Sequence, residues 1–409
     1  MARELRIGII GGGPGGLALA QGLKKAGLHP VVFEKKRARS DYVQGFRLRV
    51  RERGLAALRA LLPAALFQAV LDTAGRAPSE SRRFDESFWP LDGRRGPDPA
   101  VDDTLIELSL SRITLRQVLL TGLDDIVVYG SAFSHYTENS DGSVTAHFDN
   151  CEPATFDVLV GADGVNSRLR VQLLPTAKII DTGARRFAGK VTFAEAERAG
   201  LARVLQDYNV HIEPSGGRTL MVTSHRVDPA KFAAHGLIGR NDPTHAGLAG
   251  RHFDNTASYV WWNIAFWRDE IAGDATLEAL DGRGLLDLLL RHNADWHPEL
   301  LKLIEITDPS TVAALKVRSS VQVPPWPTRR VTLLGDAIHS MTYFRALGAN
   351  SAIYDAGLLA PALARVAAGA SLIETLATYE AAMIAHGFAA VTDSLAAMQR
   401  ALGAREIAA

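Results

Sequence analysis

Cysteine is almost absent from this chain of 409 residues, which contains Cys151 and no other. A single thiol cannot form an intramolecular disulfide, and it argues against a metal site built on cysteine ligands. The 12 histidines are scattered along the chain, so no metal site is expected. A reducing, cytoplasmic location fits this composition.

An excess of charge of either sign is also missing. Lys+Arg and Asp+Glu number 45 each, so the formal net charge at pH 7 is zero. A balanced chain has no general attraction for nucleic acid or for an anionic membrane. No apolar run of membrane-spanning length is evident, so stable membrane insertion is not expected. The expected partner is a small-molecule substrate, and the protein is expected to be a monomer or a homodimer.

Glycine is concentrated near the N-terminus, in a loop between a strand-like run (residues 7–10) and a helical stretch (residues 17–26). The spacing is G-x-G-x-x-G, and the loop consists of Gly11, Gly13, Pro14, Gly15 and Gly16 together with Gly12. In such a loop the first glycine permits a tight turn and the second lets a pyrophosphate approach. The third allows the helix to pack closely on the strand, and the helix N-terminus offers N–H groups to the phosphates.

An acid follows at the expected distance. The apolar run 31–33 ends in Glu34, which precedes Lys35. An acid at the end of the second strand is placed to accept a hydrogen bond from a ribose hydroxyl, and it disfavours NADP at this particular site. The segment therefore predicts a site for an adenine dinucleotide, either FAD or a nicotinamide. The alternative is a glycine-rich turn without a ligand.

Two further buried strand-like runs stop at a glycine and an aspartate. Residues 158–160 lead to Asp163–Gly164, and residues 331–334 lead to Gly335–Asp336. An acid at the carboxyl end of a strand can contact a ligand at the sheet edge. For the first of these segments, a plain loop is an equally good interpretation.

A helix is expected to begin at Gly348, Ala349 and Asn350, whose N–H groups would form a second anion site. Asp336 could accept a hydrogen bond from a ribityl or ribose hydroxyl. His339, in the loop between them, is interpreted as a histidine that makes one hydrogen bond rather than as a catalytic group.

Taken in this order, these segments resemble the single-component FAD-dependent monooxygenases of the aromatic-hydroxylase type, with the para-hydroxybenzoate hydroxylase fold. The resemblance runs through residues 11–34, Arg112, residues 157–170 and residues 330–355. It implies an α/β fold with a Rossmann-like FAD-binding domain of the glutathione-reductase type, an inserted mostly antiparallel β-sheet substrate domain, and C-terminal helices. It also implies non-covalent FAD, with NAD(P)H as a transient co-substrate.

The same resemblance assigns residues to the cofactor and to the domains. Those implied to bind FAD are Gly11, Gly13, Pro14, Gly15, Gly16, Glu34, Lys35, Arg47, Arg112, Asp163, Gly164, Gly335, Asp336, Gly348, Ala349 and Asn350. The FAD-binding domain is expected over residues 1–73, 101–180 and 325–409, and the substrate domain over residues 74–100 and 181–324.

Local patterns predict the elements of the remaining chain. Strands rich in β-branched and aromatic residues are predicted over residues 187–193, 209–212, 219–223 and 257–267. Helices are predicted over residues 285–290 and 300–304 and in the tail, residues 372–407. Residues 74–100, rich in Arg, Pro, Gly and Ser, are predicted to form a loop excursion.

The substrate contacts are less constrained by the sequence. Alternation along the sheet would let one face line an apolar pocket for an aromatic or polycyclic molecule. Lys190, His211 and Trp262 are the candidate substrate residues. For the aromatics, an interdomain core is an equally good interpretation, and solvent is the favoured environment for Lys190.

Two residues depart from the family pattern in the loop after Gly335–Asp336. Tyr343 stands where a proline beside the flavin is expected, and Ala346 stands where the first glycine of G-x-G is expected. Tyrosine removes the fixed φ of proline and restores an N–H, and alanine disfavours a positive φ. Tyr343 and Phe344 are expected to line the flavin-edge pocket where catalysis occurs.

The resemblance implies a monooxygenase of secondary metabolism that uses NAD(P)H and O2 to hydroxylate or epoxidise an aromatic or polyketide-like molecule. The altered loop motivates an alternative, an FAD-binding oxidase or cyclase that no longer oxygenates. A third hypothesis is a non-catalytic flavin-binding partner protein.

Overall fold

The computed structural model describes residues 5–36, 47–76, 78, 80–91, 107–213, 217–236, 238–239 and 255–407. Its strands are β1 Ile7–Ile10, β2 Val31–Glu34, β3 Arg47–Val50, β4 Glu80–Phe84, β5 Leu108–Ser111, β6 Val127–Tyr129, β7 Phe133–Glu138, β8 Val144–Phe148, β9 Ala154–Phe156, β10 Val158–Gly161, β11 Ile179–Thr192, β12 Tyr208–Ile212, β13 Thr219–His225, β14 Tyr259–Trp267, β15 Ala313–Ser320 and β16 Val331–Leu333. Its helices are α1 Pro14–Lys25, α2 Glu52–Leu61, α3 Ala64–Asp72, α4 Arg112–Leu120, α5 Arg168–Leu173, α6 Phe193–Arg198, α7 Pro229–Ala233, α8 Arg268–Ile271, α9 Asp274–Ala279, α10 Gly282–His292, α11 Pro298–Glu305, α12 Asp336–His339, α13 Gly348–Ala367 and α14 Leu372–Leu402.

A parallel sheet with the order β16-β10-β1-β2-β6 forms the FAD-binding half of the predicted fold. Its central strands are buried along their whole length and are almost entirely apolar, as in sheets that are covered on both faces. Because the strands are parallel, β1, β10 and β16 end at the same edge. The three motifs that follow these strands therefore lie side by side, as the sequence predicted.

Two glycines allow close backbone contacts at the turn after β1. Gly11 has φ +111°, and a Cβ there would stand 2.3 Å from the carbonyl oxygen of Ala162, in the loop after β10. A Cβ on Gly16, in helix α1, would stand 2.2 Å from the carbonyl oxygen of Gly11. A side chain at Gly16 would therefore push helix α1 away from the end of β1, in agreement with the predicted packing role of the third glycine.

A second sheet has the order β15-β11-β14-β13-β12-β4 and is antiparallel except for the β12–β4 pair. It contains all four strands predicted for the substrate domain. One face packs on helices α10 and α11 and forms a separate apolar core around Phe187, Trp262 and Phe266. The other face bears Trp261 and Trp267 and points towards the loop at Tyr343.

The predicted loop over residues 74–100 is wrong in its centre, where β4 adds an edge strand parallel to β12. Phe84 is buried in the core, Arg82 lies 4.3 Å from the ring centroid of Tyr208, and Arg83 pairs with Glu213. An edge strand built largely from arginine and serine hides the apolar alternation by which strands are recognised. Residues 77, 79 and 92–100 of this segment lie outside the described residues.

The tail forms a single long helix, α14, followed by residues without regular secondary structure. The sequence predicted no apolar run of membrane-spanning length. By length and composition alone, however, α14 is long and apolar enough to cross a membrane. The same helix packs on the parallel sheet. The Tyr379 hydroxyl donates to the carbonyl of Leu333 in β16 over 2.9 Å. A contact of this kind is typical of a helix that belongs to the core of a domain.

A buried carboxylate joins the loop after β16 to both C-terminal helices. Asp355 of α13 accepts hydrogen bonds from Gly335 N, His339 Nε2 and His386 Nε2, each over 2.7 Å. Burial alone would raise the pKa of Asp355, but His339 and His386 hold that pKa below its ordinary value. Burial likewise opposes the protonation of His339, but Asp355 raises the pKa of His339 above its ordinary value. His339 thus has a structural hydrogen bond, although it lies in a short helix and not in a loop.

We expect this cluster to make stability depend on pH at both ends of the range. The stabilisation from Asp355 is present above its ordinary pKa of about 3.9 and is lost as the pH falls through the lowered folded value. The stabilisation from His339 is complete below its ordinary pKa of about 6.5 and is lost as the pH rises through the raised folded value. Urea unfolding measured from about pH 5 to about pH 9 should therefore show a decline above about pH 6.5.

The variant Asp355→Asn should remove this alkaline decline and lower the free energy of unfolding by about 3–5 kcal/mol, since a buried pair loses one partner. Glu380→Gln is the matched control. Glu380 is another buried carboxylate of the C-terminal helices, and it bonds Thr332 rather than a histidine. Equal alkaline slopes in wild type and Asp355→Asn would refute the assignment.

Candidate functional site

The N-terminus of helix α1 forms an open cradle. Gly13 is the N-cap, Pro14 is the first helical residue, and no side chain of the described residues caps this end. The N–H groups of the first turn therefore remain for a ligand. A Cβ built on Gly13 meets nothing within 4 Å, whereas one on Gly15 would stand 2.7 Å from Leu334 Cδ1. The space before Gly13 fits a pyrophosphate, and Gly15 serves helix packing.

Glu34 is held against this glycine loop. Its Oε2 accepts from Gly12 N over 3.0 Å and its Oε1 from Lys36 N over 2.9 Å. A carboxylate has room for more donors, so a ribose hydroxyl can still be bound. Arg116, which no sequence motif indicated, donates from its Nε to the carbonyl of Gly12 over 3.0 Å and steadies the loop. Lys35 is exposed beside it.

The loop after β10 presents an unsatisfied acceptor. Asp163 Oδ1 is inaccessible to solvent and has no hydrogen-bond partner among the described residues. Burial raises the pKa of this carboxyl, although the hydroxyl of Ser167 partly offsets it. A hydroxyl of a bound cofactor would satisfy Asp163. Gly164 follows with φ +77°, and Arg112 begins helix α4 as the resemblance implied.

The loop after β16 brings a carboxylate to a second helix start. A Cβ built on Gly348 would stand 3.5 Å from Asp336 Oδ1, so this carboxylate lies beside the first turn of α13. The side chain of Asn350 is occupied elsewhere, because its Oδ1 accepts from Arg51 N over 2.8 Å and its Nδ2 donates to the carbonyl of Arg49 over 2.6 Å. These bonds tie the helix start to β3 and leave the first-turn N–H groups, including that of Ala349, for a cofactor.

Ala346 adopts a left-handed conformation, with φ 52° and ψ 33°. The sequence suggested that alanine would oppose a positive φ, and the conformation costs an L-residue about 1–2 kcal/mol. Two hydrogen bonds of 2.9 Å hold it in place, from Ala346 N to the carbonyl of Tyr343 and from Asn350 Nδ2 to the carbonyl of Ala346. The loop therefore keeps a glycine-like turn at a cost in strain.

Tyr343 and Phe344 lie between the two sheets. Their rings stack with centroids 4.4 Å apart and pack against an apolar cluster that includes Trp267 and Met398. Burial raises the pKa of the Tyr343 phenol, and Arg186 only partly offsets this, so the phenol stays protonated. The guanidinium of Arg186 lies 4.2 Å from the ring centroid of Tyr343.

The expectation that Lys190 faces solvent is wrong, because this residue is only 6% exposed. Its Nζ lies 4.4 Å from the ring centroid of Tyr259 and donates to Asn255 Oδ1 over 3.3 Å. Lys190 lies opposite Trp261 in the β11–β14 register, so it belongs to the face that points towards Tyr343. A substrate role for Lys190 stays a prediction.

Trp262 is the clearest correction to the candidate substrate residues. It is fully buried in the core on the opposite face of the sheet, and its Nε1 donates to Thr307 Oγ1 over 2.9 Å. Adjacent tryptophans on one strand must point to opposite faces, and the sequence alone does not say which face lies inward. Trp261 is the one on the site face. His211 lies opposite Met221, also on that face, and its substrate role stays a prediction.

Arg47 lies at the junction with the substrate sheet rather than at the glycine loop. Its Nε donates to Ser109 Oγ over 2.7 Å, and that hydroxyl bonds His225 Nδ1 over 2.8 Å. Burial lowers the pKa of Arg47 to about 10 and the pKa of His225 to about 3, so the imidazole is neutral. His225 and the adjacent Tyr259 belong to no motif that the sequence displays. A cofactor role for Arg47 stays a prediction.

Comparison with known proteins agrees with this arrangement. A family model described as an FAD binding domain matches residues 291–394, and one described as an NAD(P)-binding Rossmann-like domain matches residues 9–50. A solved structure described as an FAD-containing monooxygenase from Photorhabdus luminescens is 30% identical with a TM-score of 0.83, covering 98% of this chain and 99% of that one. Klebsiella pneumoniae HpxO in complex with FAD and uric acid has the same fold, with 24% identity, a TM-score of 0.74 and coverage of 98% and 90%.

Curated relatives are similar along most of the chain. A dual O-methyltransferase/FAD-dependent monooxygenase of Cercospora beticola is 30% identical over 400 residues, which is 92% of this chain. A 3-amino-4-hydroxybenzoate 2-monooxygenase of Streptomyces platensis is 29% identical over 364 residues, covering 88% of this chain and 79% of the relative. The chain spans 44% of the length of the Cercospora relative.

Substitutions at the start of α1 and beside the start of α13 should weaken FAD binding without unfolding the protein. Gly13→Val should abolish FAD binding by filling the cradle, and Asp336→Ala should weaken it roughly ten- to a hundredfold through the loss of a charge-assisted hydrogen bond. Gly273→Val is the matched control, because Gly273 is also a helix N-cap with open space at its Cβ but lies in the substrate domain. Fluorescence titration with FAD checks this, and unchanged FAD dissociation constants in folded variants would show that the sites are misassigned.

Proposed function

The chain belongs to the FAD-dependent monooxygenases of the aromatic-hydroxylase type, whose cofactor is FAD, and we propose that it uses NAD(P)H and O2 to hydroxylate or epoxidise an aromatic or polyketide-like molecule. The proposal rests on the contact between the loop of Tyr343 and the substrate sheet. The loop of Tyr343, between the Asp336 carboxylate and helix α13, lies against the substrate-sheet face that bears Arg186. FAD bound along the sheet edge would supply the redox chemistry with oxygen.

The described residues account for how the cofactor would be held. The first turns of α1 and α13 offer N–H donors, and Glu34, Asp163 and Asp336 offer carboxylate acceptors for hydroxyl groups. These groups lie at the ends of adjacent parallel strands, where ligands of open α/β sheets bind. NAD(P)H would be a transient partner.

The aromatic cluster around Tyr343 supports the choice of reaction. Tyr343, Phe344 and Trp267 form an apolar wall between the two sheets, and such a wall keeps water from a reacting centre. A substrate on the sheet face would lie between this wall and Trp261. One relative is by its name a 3-amino-4-hydroxybenzoate 2-monooxygenase, which supports an aromatic substrate.

Several finer points belong to the same proposal. The FAD-binding domain is proposed over residues 1–73, 101–180 and 325–409, and the substrate domain over residues 74–100 and 181–324. The distribution of strands between the two large sheets supports this division, although β11 begins at residue 179. A cytoplasmic location and a monomeric or homodimeric state are proposed with them. The altered loop keeps an FAD-binding oxidase or cyclase as the second candidate, since Tyr343 stands in the family's proline position.

The central expectation is a yellow protein with non-covalent FAD whose NAD(P)H oxidation is accelerated by an aromatic substrate. With isotope-labelled O2, one labelled oxygen atom should enter the product, as product mass spectrometry would detect. Oxygen uptake that yields only hydrogen peroxide would favour the oxidase, and turnover without oxygen uptake would favour the cyclase. A protein that binds no FAD on titration would refute both.

Tyr343 should control how tightly reduction is coupled to product formation. Tyr343→Ala removes a partly buried ring and admits water, so a larger fraction of NAD(P)H oxidation should end in hydrogen peroxide. Tyr343→Phe is the matched control, because it keeps the ring beside Arg186 and removes only the hydroxyl. Both variants should retain FAD. An unchanged peroxide fraction in Tyr343→Ala would remove Tyr343 from the active-site wall.

A further inference from the structure

Helix α14 reaches from the parallel sheet to the end of the substrate strand β14. Its Tyr379 bonds β16, and its last residue, Leu402, accepts a hydrogen bond from Trp267 Nε1 over 2.8 Å. The last four carbonyl groups of a helix have no partner within the helix, so the indole satisfies one that would otherwise be left over. Trp267 is the last residue of β14 and is buried. One helix thus connects the two sheets.

Residues 403–407, which follow α14 and lack regular secondary structure, continue this connection. Arg405 forms ion pairs with Asp269, whose two carboxylate oxygens lie 2.7 and 2.9 Å from its Nη1, and with Glu270. Both acids belong to α8, which begins directly after Trp267. The guanidinium carbon of Arg405 also lies 5.0 Å from the ring centroid of Trp267. One arginine therefore contacts both the ring of Trp267 and the helix that follows it.

The ring that Arg405 contacts belongs to the apolar wall of the candidate site. Trp267 packs in one cluster with Tyr343 and Phe344, in the loop after β16. The ring also lies beside strand β11, because a Cβ built on Gly183 would stand 3.7 Å from Trp267 Cε3. A displacement of Trp267 would therefore open the wall between the two sheets.

We propose that Arg405 is a positioning residue of the candidate site and acts through Trp267. Its ion pairs with α8 hold the indole against the loop of Tyr343, so that the apolar wall excludes water from the reacting centre. The contacts of residues 402–407 with α8 and Trp267 are called the tail clamp. The role in the reaction rests on the proposed function, whereas the tail clamp itself does not.

The exposure of the ion pairs determines how they can be tested. The side chains of Arg405 and Asp269 are 39% and 73% exposed, so added salt screens their attraction. Exposed ion pairs contribute little to global stability. Loss of the tail clamp should therefore leave the protein folded and change only how often the indole separates from Leu402.

Hydrogen exchange of the Trp267 indole N–H measures the opening of the tail clamp in the FAD-loaded protein. The tryptophans are isotopically labelled at the indole nitrogen, and Trp267→Phe identifies the resonance. Arg405→Met should raise the exchange rate of this N–H roughly two- to tenfold, because the ion pairs and the cation–π contact are lost. Salt at about 1 M should bring wild type close to the rate of Arg405→Met. Arg405→Lys, which keeps the charge, should lie between the two.

Two controls separate the tail clamp from general stability. Arg400→Met removes an exposed arginine from the last turn of the same helix, and it should leave the exchange rate at Trp267 unchanged. The indole of Trp262 is the internal control, because it donates to Thr307 Oγ1 in the core on the opposite face of the sheet. Its exchange rate should be the same in wild type and in Arg405→Met.

The positioning role is tested by turnover with an aromatic substrate that the wild type oxygenates. The fraction of NAD(P)H oxidation that ends in hydrogen peroxide should rise roughly twofold or more in Arg405→Met, and in wild type as salt is added. In Arg405→Met itself, salt should have little further effect on this fraction. The affinity for FAD should stay the same in all variants, because the tail clamp lies apart from the starts of α1 and α13.

Unchanged exchange at Trp267 in Arg405→Met, an equal effect of Arg400→Met, or an equal rise at Trp262 would each overturn the tail clamp. Faster exchange at Trp267 with an unchanged peroxide fraction would overturn the positioning role. A wild type that places no labelled oxygen in any product would instead refute the monooxygenase, and the exchange at Trp267 would still decide whether the tail clamp exists.

Discussion

The carboxylate of Asp355 is the interaction on which the cofactor edge depends. It accepts three hydrogen bonds, one from the backbone of Gly335 and two from histidines on separate helices. The loop that carries Asp336 is thereby fixed to α13, and α13 is fixed to β3 through Asn350. A fully buried carboxylate is tolerated here only because all of its partners are present. The loop after β16 and the start of α13 are positioned through that network.

The two faces of the substrate sheet differ because successive side chains along each strand point to opposite faces. The inward face is apolar and forms a core with α10 and α11, while the other face carries Lys190, Arg186, Trp261 and Asn263. Polar residues within an otherwise apolar strand such as β14 are costly unless they bind something. The polar residues of the central strands therefore lie on the face towards Tyr343.

The cofactor edge could be predicted from the sequence because each of its parts is local. A strand, a glycine turn and a helix cap lie within a few residues of one another, so the position of Gly13, Asp163 and Asp336 after adjacent parallel strands could be predicted, while their cofactor roles stay a prediction. The predictions that failed concern residues whose structure depends on partners far away in the sequence. β4 is a strand only because β12 lies beside it, and Trp261 rather than Trp262 faces the site only through the register of β14. Arg186 was missed because its significance depends on a distant contact of its neighbour: Arg185 pairs with Asp274, whereas Arg186 does not.

Arg185 pairs with Asp181 and Asp274, whereas the next residue, Arg186, lies beside the ring of Tyr343 on the other face of β11. This arrangement also bears on the fidelity of folding. A slip of β11 by one residue would exchange the two faces, moving Arg186 into the apolar core and Phe187 out of it. Arg185 would at the same time leave the carboxylate of Asp274, which lies on a separate helix. Both displacements would cost electrostatic free energy in addition to the loss of packing. The two arginines therefore favour the observed register of β11, the longest strand of the sheet.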